Sequence, residues 1–275
     1  MKILVSGACG YIGRHVVKEL SKRGHDVIAC DVVDRGGLSD FAEVVQGDIL
    51  SDDVFFVSLP TPDVFLHLAW QDGFTHNAPS HIMRLGEHFN LCKRMVERGC
   101  QHIAVMGTMH EVGYHEGAIS ENTPCDPLSL YGIAKNALRK ALQVEFARKP
   151  VCFQWLRGYY IYGDDFLNHS IFTKLLQAAE EGKKTFPFTS GKNKYDFVQI
   201  DDLANMIVGA ILQTKVDGII NCCSGHPQAL GEVVEKFIAD NRLGLKLEYG
   251  AFPDRPYDSP GVWGDASKIR TILEG

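Results

Sequence analysis

Short apolar runs alternate with amphipathic stretches along the first 157 positions of the chain. Lys2 to Val5, Asp26 to Cys30, Val64 to Leu68, Ile103 to Met106 and Val151 to Leu156 read as strands. Between them, Tyr11 to Arg23, a stretch around His81 to Arg98, and Leu130 to Arg148 carry the 3.6-residue periodicity of helices. The strands are apolar at nearly every position rather than at alternate ones, so both of their faces are expected to be covered. Strand–helix alternation of this kind predicts an α/β fold, a Rossmann-type doubly wound parallel sheet. Beyond residue 157 the pattern loosens into a loop-helix-loop over 164–193, a strand at Tyr195 to Ile200, a helix at Asp201 to Gln213 and a strand at Gly218 to Cys222. The last fifty residues are expected to hold one helix, a strand-like run at Leu245 to Tyr249 and a Pro-rich loop. The organisation that follows is a core of 1–157 with 195–223 and a small C-terminal lobe of 158–194 with 224–275.

Composition narrows the function without naming it. The 275 residues are 45% hydrophobic and 23% charged, with a formal net charge of −6 and no Lys/Arg block. Bulk electrostatic attraction to nucleic acid or to an anionic membrane is therefore not expected. No apolar run approaches the roughly 18 residues of a membrane span. Met1 to Gly7 reaches glycine too soon to read as a signal peptide. The eight cysteines lack paired CxxC spacing, so reduced, mostly buried thiols in the cytoplasm are expected, and no structural metal.

Two places carry chemistry. The first strand ends in Gly7-Ala8-Cys9-Gly10-Tyr11-Ile12-Gly13 and opens a helix. Glycines there let a pyrophosphate approach the backbone, and the helix N-terminus offers free N–H groups. Asp31, 18 residues after Gly13, ends the second strand, where a carboxylate accepts from ribose hydroxyls and repels a 2′-phosphate. This favours NAD over NADP, with Arg35 nearby able to oppose that preference. Gln46-Gly47-Asp48-Ile49 and His67-Leu68-Ala69-Trp70 follow strand positions bordering the same groove. The second place is Tyr131-Gly132-Ile133-Ala134-Lys135, which puts a phenol and an ammonium at i and i+4 on one helix face. A lysine there is expected to lower the phenol's pKa and let it exchange protons with an alcohol or ketone. Thr108 stands at a strand end, where a residue of its type also serves merely to cap the next turn.

Together these residues make the chain resemble the extended branch of the short-chain dehydrogenase/reductase superfamily, which modifies nucleotide sugars. The resemblance rests on GACGYIG, Asp31, GDI at 47–49, HLAW at 67–70, GT at 107–108 and YGIAK, and it covers nearly the whole chain. Later text agrees: Leu156-Arg157 through Tyr162-Gly163, Tyr195-Asp196-Phe197-Val198 through Asp201-Asp202, and Asp265-Ala266-Ser267-Lys268. It implies that Thr108 hydrogen-bonds the reacting oxygen, that Tyr131 is the acid/base, and that Lys135 holds the nicotinamide ribose and tunes Tyr131. Gly7, Gly10, Tyr11, Ile12, Gly13, Asp31, Asp48, Ile49, Leu68, Ala69, Trp70, Tyr131 and Lys135 are then the expected NAD-binding set. Thr108, His110, Tyr160, Asn168, Lys194 and Arg255 are the expected substrate-binding set, with Ser170 and Phe188 in regions that hold the nucleotide in relatives.

Departures from the family's pattern matter as much. Sugar 4,6-dehydratases carry an Asp-Glu pair directly after the Ser/Thr, where this chain has Met109 and His110. Glu111 comes one residue too late and is expected to project the other way. Dehydration is thus not expected, and His110 either lines the sugar pocket or orders the turn to Gly113. Relatives often have Asn at the place of Tyr160 and Arg at that of Tyr195, with Lys194 available to supply the charge. Three readings stand: a 4-keto reductase or 4-dehydrogenase of a nucleoside-diphosphate 6-deoxyhexose, a nucleotide-sugar 4-epimerase with tightly held NAD, and a non-enzymatic NAD-binding protein. A homodimer built on the helices at 81–98 and 130–148 is expected from the resemblance alone.

Overall fold

The computed structural model describes residues 1–163, 170–253 and 259–275. Its elements run β1 (Lys2–Ser6), α1 (Tyr11–Lys22), β2 (Asp26–Asp31), β3 (Glu43–Gln46), α2 (Asp53–Ser58), β4 (Val64–His67), α3 (Ser80–Met83), α4 (Leu85–Glu97), β5 (His102–Thr108), β6 (Gly117–Ile119), α5 (Leu130–Phe146) and β7 (Cys152–Gly158). There follow β8 (Tyr160–Tyr162), α6 (Ile171–Glu180), β9 (Thr185–Pro187), β10 (Lys194–Gln199), α7 (Ile200–Ile211), β11 (Gly218–Cys222), β12 (Pro227–Ala229), α8 (Leu230–Asp240), β13 (Lys246–Glu248), β14 (Gly261–Gly264) and α9 (Ser267–Glu274).

The uniform apolarity of the long strands has the consequence expected of it. Seven strands form one parallel sheet in the order β11-β7-β5-β4-β1-β2-β3, the doubly wound arrangement. Successive side chains feed opposite faces: Ile3 and Val5 join Val16, Val17 and Leu20 of α1 and Leu203 and Ile207 of α7. Leu4 joins Leu91 and Met95 of α4 and Leu138 and Leu142 of α5 on the other face. All of these are fully buried or nearly so. Removing each from water contributes about 1.5–3 kcal/mol, which is what holds helix layers to both faces.

A smaller sheet, β12-β10-β14-β6 with β8 beside β10, stands at the carboxyl ends of the large one. The chain first visits it at β6, between β5 and α5, enters it again at β8 directly after β7, and returns to the large sheet through α7 and β11. The strand at 194–199 therefore pairs in the small sheet, while the helix that follows it packs on α1. Among the described residues, the last fifty hold two helices rather than one, α8 and α9, plus the short strands β12, β13 and β14. Asp196, wholly buried on β10, fastens this region by accepting from Ser224 N and Oγ (2.8 and 2.6 Å), Gly225 N (2.9 Å) and Gly264 N (3.1 Å). The eight cysteines are all free thiols. Among the described residues, no helix is long and apolar enough to cross a membrane.

Candidate functional site

After β1 the chain builds β2 and β3 on one side and then crosses to β4 on the other, so the carboxyl end of β1 is a topological switch point. A cleft of about 1030 Å³ opens there and runs between the two sheets. Gly7, Gly10, Tyr11, Ile12 and Gly13 line one end, with Leu68 and Trp70 beside them, and Thr108, Tyr131 and Lys135 line the middle. The glycines are required by space. Gly7 sits at φ +73°, and a Cβ on it would lie 2.5 Å from Ala69 N. A Cβ on Gly13 would lie 2.2 Å from Gly7 O. Such a bare turn at the start of α1 presents N–H groups to the cleft and fits a dinucleotide pyrophosphate.

Four residues of the expected cofactor set stand around this floor rather than lining the cleft. Asp31, at the end of β2, accepts Cys9 N at 2.8 Å and so ties the glycine turn to the next strand. Asp48 accepts from Leu50 N (3.0 Å) and Ser51 Oγ (2.6 Å) and faces Arg84 at 3.4 Å. These hydrogen bonds, with Arg84, outweigh burial and lower its pKa. Ile49 is 5% exposed in the core, and Ala69 backs Gly7.

Thr108 ends β5 opposite Gly158 of β7, and Tyr131 enters on the first turn of α5, which Ser129 caps by accepting Gly132 N at 3.1 Å. Thr108 hydrogen-bonds Tyr131 and lowers its pKa, but burial is the larger influence and raises it, with Glu111 adding to the rise. The expected lowering by Lys135 is corrected here. The Lys135 ammonium donates to Met106 O at 2.7 Å and lies 3.8 Å from the Trp70 ring centre, against 5.9 Å for the Tyr131 ring. Burial also brings Lys135 down to about 7.

Glu111 does project the other way. Wholly buried, its carboxylate accepts from Thr108 N (2.8 Å), Trp155 Nε1 (2.7 Å) and Arg139 Nε (3.1 Å), with Arg157 Nη2 at 3.5 Å. It is an anchor behind Thr108, not a group in the cleft. His110 lines the cleft, and burial, with His76 beside it, lowers its pKa to about 4. It is thus a neutral imidazole near neutral pH. His76 was not singled out from sequence. It stacks on Tyr131 at 5.4 Å and 17° and meets His110 edge-on at 4.6 Å. It sits in the loop 71–79 after β4, whose Phe74 and Asn77 also line the cleft. That loop grips the start of α5, because His76 O accepts Tyr131 N (2.9 Å) and Asn77 Oδ1 accepts Leu130 N (3.2 Å).

The opposite wall is aromatic. Tyr160 of β8 stacks on Tyr195 of β10 at 4.3 Å and 27°, with Phe197 next to both. Lys194 does not join them and is corrected. Side chains alternate along a strand, so Tyr195 and Phe197 face the cleft while Lys194 lies exposed off it. Phe188 is buried against Tyr249 and does not line the cleft, whereas Ser170 does. Asn168 and Arg255 lie outside the described residues.

Residues 3–223 match the model of the NAD dependent epimerase/dehydratase family. The chain is 48% identical, over 96% of its length and 99% of the relative's, to a dTDP-6-deoxy-L-talose 4-dehydrogenase (NAD(+)) of Aggregatibacter actinomycetemcomitans. It is 24% identical, over 99% of its length and 91% of the relative's, to a UDP-glucose 4-epimerase of Lactobacillus helveticus. Among solved structures, the UDP-glucose 4-epimerase of Thermotoga maritima superposes with a TM-score of 0.83 at 21% identity, covering 98% of this chain and 92% of that one. That superposition speaks to the fold.

Proposed function

The chain belongs to the NAD dependent epimerase/dehydratase family, and from that premise we propose that it moves a hydride between NAD(H) and C4 of a nucleoside-diphosphate 6-deoxyhexose. The observation that carries this reading is the likeness to an NAD(+)-dependent 4-dehydrogenase over nearly the full length of both chains. The cleft supports it with a glycine floor at one end and a Thr–Tyr–Lys group in its middle.

NAD, when bound, supplies the hydride acceptor or donor. The chain's residues do the rest. Thr108 and Tyr131 hold the C4 oxygen between two hydroxyls, and Tyr131 takes or returns its proton. Lys135 holds the nicotinamide ribose. Asp31, at the end of β2, accepts from the adenosine ribose. His110, neutral in its buried setting, serves as a hydrogen-bonding partner for the sugar. Tyr160 forms part of the substrate wall. The core of 1–157 with 195–223 carries the cofactor, although β10 at the start of its second piece turns Tyr195 and Phe197 to the substrate wall, and the lobe of 158–194 with 224–275 carries the nucleotide sugar.

The test is direct. Incubated with NAD⁺ and a dTDP-6-deoxyhexose, the protein produces NADH in step with a 4-keto product. The relatives that are 4-epimerases favour a second reading on the same residues, and it predicts sugar inversion with no free NADH formed. A cytoplasmic homodimer completes the proposal. Helices α3 to α5 leave Ile82, Met83, Ile133 and Val144 exposed, the last at 80%, which a second copy would cover. Light scattering that gives a monomer at micromolar concentration overturns that part.

A further inference from the structure

The geometry points to Trp70 as a positioning residue for Lys135: its indole face holds the lysine ammonium, and two flanking histidines hold the indole. This rests on the reading that Lys135 binds the nicotinamide ribose.

Lys135 is 3% exposed, and a buried ammonium needs compensation for lost water. The groups around it leave little. From β4 and α4, His67 and His88 are driven toward their neutral forms by burial, and Lys135 itself adds to that drive. Cys92 of α4 is raised to about 12 by burial, so it is a thiol rather than a thiolate at neutral pH. Tyr131, on the same helix, is raised as well and is a neutral phenol. Among the described residues Glu111 is the one carboxylate acting on Lys135, and it already serves Arg139, Arg157, Trp155 and the Thr108 amide. What remains in contact is the Met106 carbonyl at 2.7 Å and the Trp70 ring at 3.8 Å. A desolvated ammonium over an indole face is the strongest form of cation–π contact. The carbonyl and the ring between them fix the direction in which the ammonium's remaining N–H can point.

The indole cannot turn away cheaply. Its Nε1–H donates to His81 Nδ1 at 3.0 Å, and the other nitrogen of His81 meets Thr75 O at 3.0 Å, which makes Nε2 the protonated one. His88 stacks on the indole at 4.3 Å and 18°. His88 is held in turn through His67 (2.9 Å) to Ser6 Oγ (2.7 Å), the last residue of β1. The edge of the indole meets Tyr131 at 6.2 Å and 72°. A chain of ring contacts thus runs from the glycine-turn strand to the ammonium that faces the cofactor.

A clamp and a mere wall predict different pH behaviour. NAD⁺ affinity, measured by calorimetry without turnover, should fall as pH rises through the value at which Lys135 loses its proton. Trp70→Leu removes the ring face, so that midpoint should move down by roughly one pH unit, with wild-type and variant affinities converging below it. Trp70→Phe keeps a weaker face and should move it in the same direction by less. A variant that binds less tightly by the same factor at every pH, with its midpoint unmoved, overturns the inference and leaves Trp70 as packing. If the Leu variant fails to fold, the Phe variant decides alone, and an unshifted midpoint there overturns it equally. A wild-type protein that binds no NAD⁺ instead sinks the proposed function, a separable outcome.

Discussion

The two ends of the cleft are built on different terms. The cofactor floor is made of backbone: Gly7 at φ +73° and Gly13, where a Cβ would lie 2.2 Å from a carbonyl oxygen, leave room for nothing but hydrogen. The substrate wall is made of side chains drawn from β8, β10, α6 and the loop 71–79, segments far apart in sequence. A backbone-built site tolerates almost no substitution and announces itself in a short string. A side-chain-built site tolerates many, and its composition is decided by which strand position happens to face inward.

Predictions follow from that contrast, the largest effect first. Tyr131→Phe should slow hydride transfer by about 10²–10⁴ while NAD⁺ affinity barely changes, separating chemistry from the floor. In the wild type, reduction should be favoured at low pH and oxidation at high pH. The raised pKa of Tyr131 keeps the phenol as donor through neutral pH, and only its anion accepts the proton that oxidation releases. A pH–rate profile in each direction checks the sign. Gly13→Ala should weaken NAD⁺ binding by about 10–100-fold, the effect of an overpacking strain of ~1–3 kcal/mol, measured by calorimetry. Asp31→Ala should narrow the preference for NAD⁺ over NADP⁺ by about tenfold, since one charge-assisted hydrogen bond is lost and Arg35 is exposed nearby. Lys194→Ala should leave the KM for the nucleotide sugar within about twofold, because an exposed charge off the cleft contributes little. A tenfold rise in that KM would erase the distinction drawn between the two sides of β10.

How far the sequence was legible follows the same division. The strands and helices of the large sheet were readable because burial on both faces demands long apolar runs. β3, half-exposed at the sheet edge, was legible only through the Gln46-Gly47-Asp48 text at its end, since an edge strand needs no continuous apolarity. The helix expected around 81–98 breaks at Arg84 (φ −93°, ψ 0°), where that side chain reaches Asp48, Gln71 and Glu87, and no periodicity records such a join. α9 escaped notice because Ile269 is its sole buried residue. At the site, the i,i+4 spacing of Tyr131 and Lys135 gave a shared face but not the destination of a long flexible ammonium, which a carbonyl and an indole elsewhere in the fold decide. His76 carries no motif of its own. Only the tertiary placement of loop 71–79 over α5 brings it to the phenol.

That placement limits how the enzyme could be remodelled. Loop 71–79 supplies Phe74, His76 and Asn77 to the cleft mouth, so it is the natural segment to exchange when a different sugar is wanted. Yet the same nine residues terminate the backbone of the acid/base helix through His76 O and Asn77 Oδ1. A transplanted loop of another length would reach the mouth and leave two amides at the head of α5 without acceptors. Selectivity and turnover are mechanically joined at that point, and a designer who changes the first will have to rebuild the second.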